Sequence, residues 1–444
     1  MTRTLRIVAW LLLAGLPAGA HAGDRMGPII NPGRSDKTYR AAIQRFAGQG
    51  GKAEQLAGAV HQAVQQGLDF SGVFSRIDEK AFLESTDSPF LDGAPAPNCP
   101  NWRQIGADAL VQGEVAPAPE GLSATFRLHD VSRGCLALVR GKRFTGRTED
   151  ARRIGKAIAD EIVGAFTGQR GVSDTELAFV SNRGGSKEIW VMDADGASPR
   201  AATRNRSLSS FPDWDPAGNA VVYTSYRHRN RPSLFLVARG PNSPGRILAG
   251  LNGGKPIYRG VFDRSGRRLA VVMSADGNTE LYSVERSGGA LRRLTRNRSI
   301  DVSPSWSPDG SQIAFVSDRT GAPQVYVMNA DGSNQRRLTF QGGYNTAPAW
   351  SPDGRWIAYE MQVGGQFDIW RIDPSGQANG PLVTHGRTDE HPAWSPDSRK
   401  LAFQSTRRGR ADIYVMDVGG SHEEARRVSE GGENTNPAWG PYRR

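Results

Sequence analysis

Ser303-Pro304-Ser305-Trp306-Ser307-Pro308-Asp309-Gly310, followed at once by Ser311-Gln312-Ile313-Ala314-Phe315-Val316, reads as a strand, a tight turn and a second strand. Pro308 presets φ and Gly310 supplies the positive φ that such a turn needs. The same passage returns along the chain. An aromatic following a short polar stretch stands at Trp214, Phe262, Trp306, Trp350, Trp394 and Trp439, spaced 48, 44, 44, 44 and 45 residues apart. Aliphatic-Ala or Val-rich strands open at Leu177, Val221, Leu269, Ile313, Ile357 and Leu401, and alternating strands at Ile189, Leu234, Leu281, Val325, Ile369 and Ile413. A weaker basic run such as Arg292-Arg293-Leu294-Thr295 closes each unit. Four short strands in a period of about 44 residues are the signature of a propeller blade. Six copies predict a six-bladed β-propeller over 173–444.

The phase of the repeat predicts how the ring closes. The unit at Leu177 lacks a preceding Trp strand, and the strand at Trp439 has nothing after it. The C-terminal strand is therefore expected to complete the first blade and remove the open edges. Antiparallel alternation places the Ser-Pro-Asp-Gly turns on one face of the ring, face two. Face one carries the crossovers into the Trp strands: Ser209 to Phe211, Pro256 with Tyr258 and Arg259, Asp301-Val302-Ser303, Asn345-Thr346, Asp389-Glu390-His391 and Asn434-Thr435. Loops of varied chemistry on a repeated scaffold form the candidate partner-binding mouth, the alternative being six solvated loops.

Residues 23–172 lack this period. Apolar residues at helical spacing over 52–68 and 149–166, with strands over 110–115, 124–131 and 136–144, predict an α+β domain; 90–100, rich in proline, reads as a loop. Residues 1–22 read as a signal peptide cleaved before Gly23, with Arg3 and Arg6, a short apolar run and Ala20-His21-Ala22. Export to an oxidising compartment makes Cys99 and Cys135 disulfide candidates, with two separate thiols as the alternative.

Of 444 residues, 38% are hydrophobic and 23% charged, with a mean hydropathy of −0.50, which excludes a disordered or multi-spanning chain. The net charge of +11, 56 basic against 45 acidic, divides into 19 against 17 over 23–172 and 35 against 28 over 173–444. The excess of +2 and +7 reads as spread over strand ends, so nucleic acid is not expected. Arg227-His228-Arg229-Asn230-Arg231 reads as a solvated hairpin tip rather than an anion site. No Gly-x-Ser-x-Gly elbow, phosphate loop or dinucleotide fingerprint occurs. Asp389-Glu390-His391 alone offers a carboxylate–His combination, too few convergent groups for catalysis or a metal. No catalytic residue, metal or cofactor is expected. A propeller that binds or cleaves a polysaccharide or peptide at its channel mouth stands as the alternative function.

A leader, an α+β domain and six Trp-Ser-Pro-Asp-Gly-type blades, in that order, resemble the TolB family. So do the passage Gly67-Leu68-Asp69-Phe70-Ser71-Gly72-Val73-Phe74, the stretch Ile105 to Gly113 and the ending Asn436-Pro437-Ala438-Trp439-Gly440-Pro441-Tyr442. The resemblance implies a non-enzymatic periplasmic subunit of the Tol–Pal system that supports outer-membrane integrity and constriction during division. It implies that the propeller mouth binds the lipoprotein Pal through Pro256, Arg259, Val302 and neighbours. It also implies that 23–37, with Gly23, Asp24, Arg25, Met26, Ile29 and Ile30, binds TolA. Contacts with other outer-membrane proteins would extend the same role, the chain meeting membranes through partners.

Overall fold

A computed structural model describes residues 38–443 apart from 49, 94, 241–244, 249–253 and 276. The signal peptide and the expected TolA-binding residues Gly23, Asp24, Arg25, Met26, Ile29 and Ile30 lie outside the described residues. These divide into two compact units, one running to Asp174 and the other from Thr175 onward.

The first unit holds a sheet ordered β3-β1-β4-β5-β6, where β1 is Tyr39–Ile43, β3 Phe74–Arg76, β4 Ala109–Ala118, β5 Gly121–Asp130 and β6 Leu136–Gly146; the short β2, Ala47–Gly48, pairs with β4. β1 runs parallel to β3 and β4, and β4, β5 and β6 are antiparallel. Two helices, α1 (Gly51–Ser71) and α3 (Ala151–Thr167), cover one face. Their apolar stripes, Val60, Val64 and Leu68 with Ile154, Ile158 and Ile162, meet Val111, Val115, Phe126 and Leu128 in a single core. The helices cross closely because Gly155 has no side chain: a Cβ there would lie 2.5 Å from both Ala63 Cβ and the Val60 carbonyl. Gly72 and Gly168, with φ of 69° and 74°, end the two helices in the left-handed conformation.

The sequence reading did not include β1, which is short and whose Ala41, Ala42 and Ile43 are all buried, so no alternation marks the strand. The proline-rich stretch ends in a helix, α2 (Cys99–Gln104), which Pro100 starts without breaking. Trp102 of α2 is buried with Ala42, Leu110 and Val131, and Cys99 is disulfide-bonded to Cys135, Cα atoms 5.9 Å apart.

The second unit is a ring of six four-stranded antiparallel blades. From inner to outer strand, blade 2 is Ser209–Trp214, Ala220–Ser225, Ser233–Ala238 and Arg246–Ile247. Blades 3 to 6 repeat the pattern from inner strands Ile257–Phe262, Asp301–Trp306, Asn345–Trp350 and Asp389–Trp394. In blade 1 the inner strand is Asn434–Trp439, paired with Glu176–Gly184 and followed by Ser186–Asp193 and Arg200–Ala201. The inner strands lie against one another round the ring, Asn434–Trp439 touching both Ser209–Trp214 and Asp389–Trp394.

Apolar seams hold neighbouring blades. Between blades 3 and 4, Val261, Ala270, Val272 and Leu281 meet Trp306, Ile313 and Phe315. The repeated Trp adds a hydrogen bond to the burial: Trp214, Trp306 and Trp394 donate Nε1–H to the carbonyls of Ala438, Val261 and Ala349 in the preceding blade, at 3.1, 3.3 and 2.9 Å. Phe262 fills the equivalent place in blade 3 but has no such donor.

Candidate functional site

The inner strands carry a bulge that the sequence reading did not anticipate. Register shifts between the second and fifth residues in blades 1, 2, 4, 5 and 6, and near Arg259 in blade 3. The third residue of five strands is left-handed without being glycine: Phe211, Ser303, Ala347, His391 and Asn436 have φ between 47° and 56°. Each holds about 1–2 kcal/mol of strain. Each is followed by Pro, which lacks an N–H and fits an edge strand at a bulge.

This geometry sorts the mouth residues. Phe211, Tyr258, Arg259, Val302, Ser303, Thr346, Glu390, His391 and Thr435 stay partly exposed on the inner strands, and Pro256 is half-buried just ahead of one. Asp301, Asn345, Asp389 and Asn434 are fully buried. Expected as contact residues, these four are corrected to internal braces. Arg319 shows how they work. Its Nε donates to Ser317 Oγ at 2.8 Å and its Nη2 to Asp301 Oδ1 at 3.2 Å, while its guanidinium stacks 4.8 Å over Tyr326. Arg407 repeats this with Ser405, Asp389 and Tyr414, and Arg183 with Ser181, Asn434 and Trp190. Asn345 donates instead to Gln324 Oε1 at 2.8 Å. The recurring Ser-x-Arg at 181–183, 317–319 and 405–407 is the sequence signal that would have found Asn434, Asp301 and Asp389.

Consecutive blades are stitched at the bulges. Thr224 donates to the Tyr258 carbonyl, His391 N–H to Glu360 Oε1 and Asn436 N–H to Gln404 Oε1, at 2.9, 2.7 and 3.0 Å. Charge concentrates in this inner lining. Glu360 Oε1 is also 3.0 Å from His391 Nδ1, and Gln404 donates to Glu390 at 2.7 Å. Burial depresses His391, but Glu360 and Glu390 outweigh it and the imidazole's pKa is raised. Burial, then Glu360, push Glu390 up. Tyr344 is pushed up to about 12 by burial and the same two carboxylates. Burial lifts Asp213 to about 6, against the Phe262 N–H and Arg259 that favour its charge. Arg259 lies 5.7 Å over the Phe211 ring; burial lowers its pKa, and Asp213 and Glu360 oppose that.

The lining thus pairs its charges with one another. Among the described residues no group of three His, Cys, Asp or Glu side chains is arranged to hold a metal ion. The Arg227 hairpin is not merely a solvated tip. Arg227 stacks 4.1 Å over Phe235 and donates to Asn205 at 2.8 Å, tying the hairpin to the crossover entering its own blade.

Residues 163–443 match the model of the TolB beta propeller domain, and residues 30–136 that of the TolB amino-terminal domain. The chain belongs to the TolB family. It is 36% identical over 307 residues to the Tol-Pal system protein TolB of Anaeromyxobacter dehalogenans, covering 69% of this chain and 68% of that one. A Protein TolB homolog of Chlorobium luteolum is 34% identical over 318 residues, 70% of each chain. Among solved structures, TolB from Acinetobacter baumannii superposes with a TM-score of 0.74 at 24% identity, over 91% of this chain and 97% of that one, a likeness of fold. Among the described residues of this TolB-family chain, no helix is long and apolar enough to cross a membrane.

Proposed function

We propose that this chain is a periplasmic, non-catalytic adaptor of a Tol–Pal system, exported by cleavage before Gly23. In this reading the face-one mouth holds the lipoprotein Pal and residues 23–37 engage TolA, so that the chain supports outer-membrane integrity and constriction at division. The observation that carries it is a braced mouth on a TolB-family propeller, where buried Asp301, Asn345, Asp389 and Asn434 anchor the strands that present Val302, Thr346, Glu390 and Thr435. A rigid, preorganised surface loses little entropy on docking a folded partner. Commitment of Glu360, His391 and Glu390 to bonds within the ring supports a binding role over chemistry.

Pull-down from solubilised envelopes tests it. The mature chain is expected to recover a peptidoglycan-associated lipoprotein, and Val302→Asp with Thr346→Asp to lose it while still melting cooperatively. Trimming 23–37 is expected to remove TolA alone. Recovery of neither protein by the intact chain would overturn the proposal.

A further inference from the structure

The crossovers into blades 2 and 4 carry the same passage, Thr203-Arg204-Asn205-Arg206-Ser207 and Thr295-Arg296-Asn297-Arg298-Ser299. Both are pinned from below by a buried carboxylate. Glu188 accepts the Thr203 hydroxyl at 2.5 Å and the Arg206 N–H at 2.7 Å; Glu280 accepts the Thr295 hydroxyl at 2.5 Å and the Asn297 N–H at 3.1 Å. The central Asn turns inward: Asn205 bonds Tyr223 Oη at 3.1 Å, and Asn297 bonds Asp301 at 2.6 Å. The flanking arginines are left exposed. The blade 2 hairpin adds exposed Arg229 and Arg231, held beside the next crossover by a bond from Arg231 to the Gly254 carbonyl at 3.2 Å.

No carboxylate pairs with these six arginines among the described residues. Nearby Asp301 and Asp318 are committed, to Arg319 and to the Ile300 N–H. These six exposed arginines on face one add to the basic strand ends Arg292, Arg336 and Arg426, which are exposed too. The equivalent slots elsewhere differ. Phe340, 75% exposed, fills the crossover into blade 5, His385 and Arg387 the one into blade 6, and Glu430 with Glu433 the one into blade 1. In a six-bladed ring the crossover into blade 1 stands diametrically across from the one into blade 4. Acid thus faces Arg296 and Arg298 across the mouth, with Glu430 4.0 Å from the Arg427 guanidinium and both carboxylates exposed.

Six similar blades offer a partner six similar rotations, and only outward side chains tell them apart. We infer that this rim is an electrostatic register: Arg204, Arg206, Arg229, Arg231, Arg296 and Arg298 receive an acidic protein surface over blades 2 to 4. Glu430 and Glu433 repel that surface from the opposite pole and so fix one rotation. The inference rests on the adaptor reading, and gives the surface of Pal that meets the mouth an acidic character. Steering of this kind acts mainly on association and weakens with salt.

The test measures binding of the soluble domain of the same bacterium's Pal to the full mature chain. Association is expected to slow about tenfold from about 20 to about 300 mM salt. Arg204→Gln, Arg206→Gln, Arg296→Gln and Arg298→Gln together should remove most of that dependence and raise Kd about tenfold at low salt. A photo-cross-linker at Asn230 should mark one patch of Pal, and several once Glu430→Arg and Glu433→Arg erase the acidic pole. Salt-independent binding that the fourfold variant does not move would overturn the register and leave Pal as partner. Absence of Pal binding at every salt would overturn the adaptor reading and the register with it. Capture of phosphatidylglycerol vesicles that is lost in the fourfold variant, with Pal binding unmoved, would reassign the rim to a lipid surface.

Discussion

Asp213 shows what the inner lining does to a single side chain. Its carboxyl is lifted from 3.8 to about 6, chiefly by burial. The folded state then binds a proton more tightly than the unfolded one, so this group's contribution to stability falls as pH rises through the interval between the two values. Facing it are Arg259, Asp215 and the N–H groups of Phe262 and Trp214. The wild type should therefore lose stability relative to Asp213→Asn between about pH 4 and about pH 7, read as urea midpoints. A gap that moves the other way would show Arg259 outweighing burial. Polar type alone misled the sequence reading at this scale. Asp301 and Asp389 look like loop contacts because acidic residues are usually exposed. Their partners Arg319 and Arg407 lie 18 residues away, two residues past the end of the neighbouring strand, and only the pairing register brings them together.

At the scale of the element, the Ser-x-Arg brace ties the hairpins of blades 1, 4 and 6 to the inner strands of their own blades. Arg407 is 8% exposed and Asp389 not at all, so removing one partner strands a buried charge. Arg407→Met should destabilise the propeller by about 3–5 kcal/mol. Adding Asp389→Leu should recover part of the loss, because the uncompensated carboxylate goes with it. A double variant no more stable than the single one would assign the brace to packing on Phe403 and Tyr414. In the first unit, the disulfide closes a loop with a sequence separation of 36. Replacing Cys99 and Cys135 by Ser should cost about 3–4 kcal/mol in the chain-entropy picture. Calorimetry should show that loss in the transition of this unit, and its appearance in the propeller's transition instead would contradict the assignment. Long periodic elements were legible: 52–68 and 149–166 became α1 and α3. Short elements such as β1 and α2 were not, because tertiary burial and the disulfide, not local pattern, hold them.

At the scale of the molecule, the repeat was legible because every blade writes the same local instructions: a turn, a Trp, and strands of fixed spacing. Closure followed from the phase of that repeat, and strand Asn434–Trp439 does pair with Glu176–Gly184. Trp439 Nε1–H donates to Thr175 Oγ1 at 2.8 Å, and Arg443 pairs with Glu176 and Asp193 at 2.7 and 3.0 Å. Deleting 437–444 should lower the propeller's melting temperature by about 10 °C or more and expose sheet edges to aggregation. A tail that merely decorates the ring would leave the melt unchanged. The polarity of the rim was not legible, since its arginines are scattered over about 95 residues and meet only when the crossovers share a face.

The most direct test of the central claim is calorimetric titration of the mature chain with the soluble domain of its own Pal. Saturable one-to-one binding is expected, weakened at least about tenfold in Val302→Asp with Thr346→Asp at an unchanged melting temperature. Equal binding by that variant, or no binding by the wild type, would contradict it.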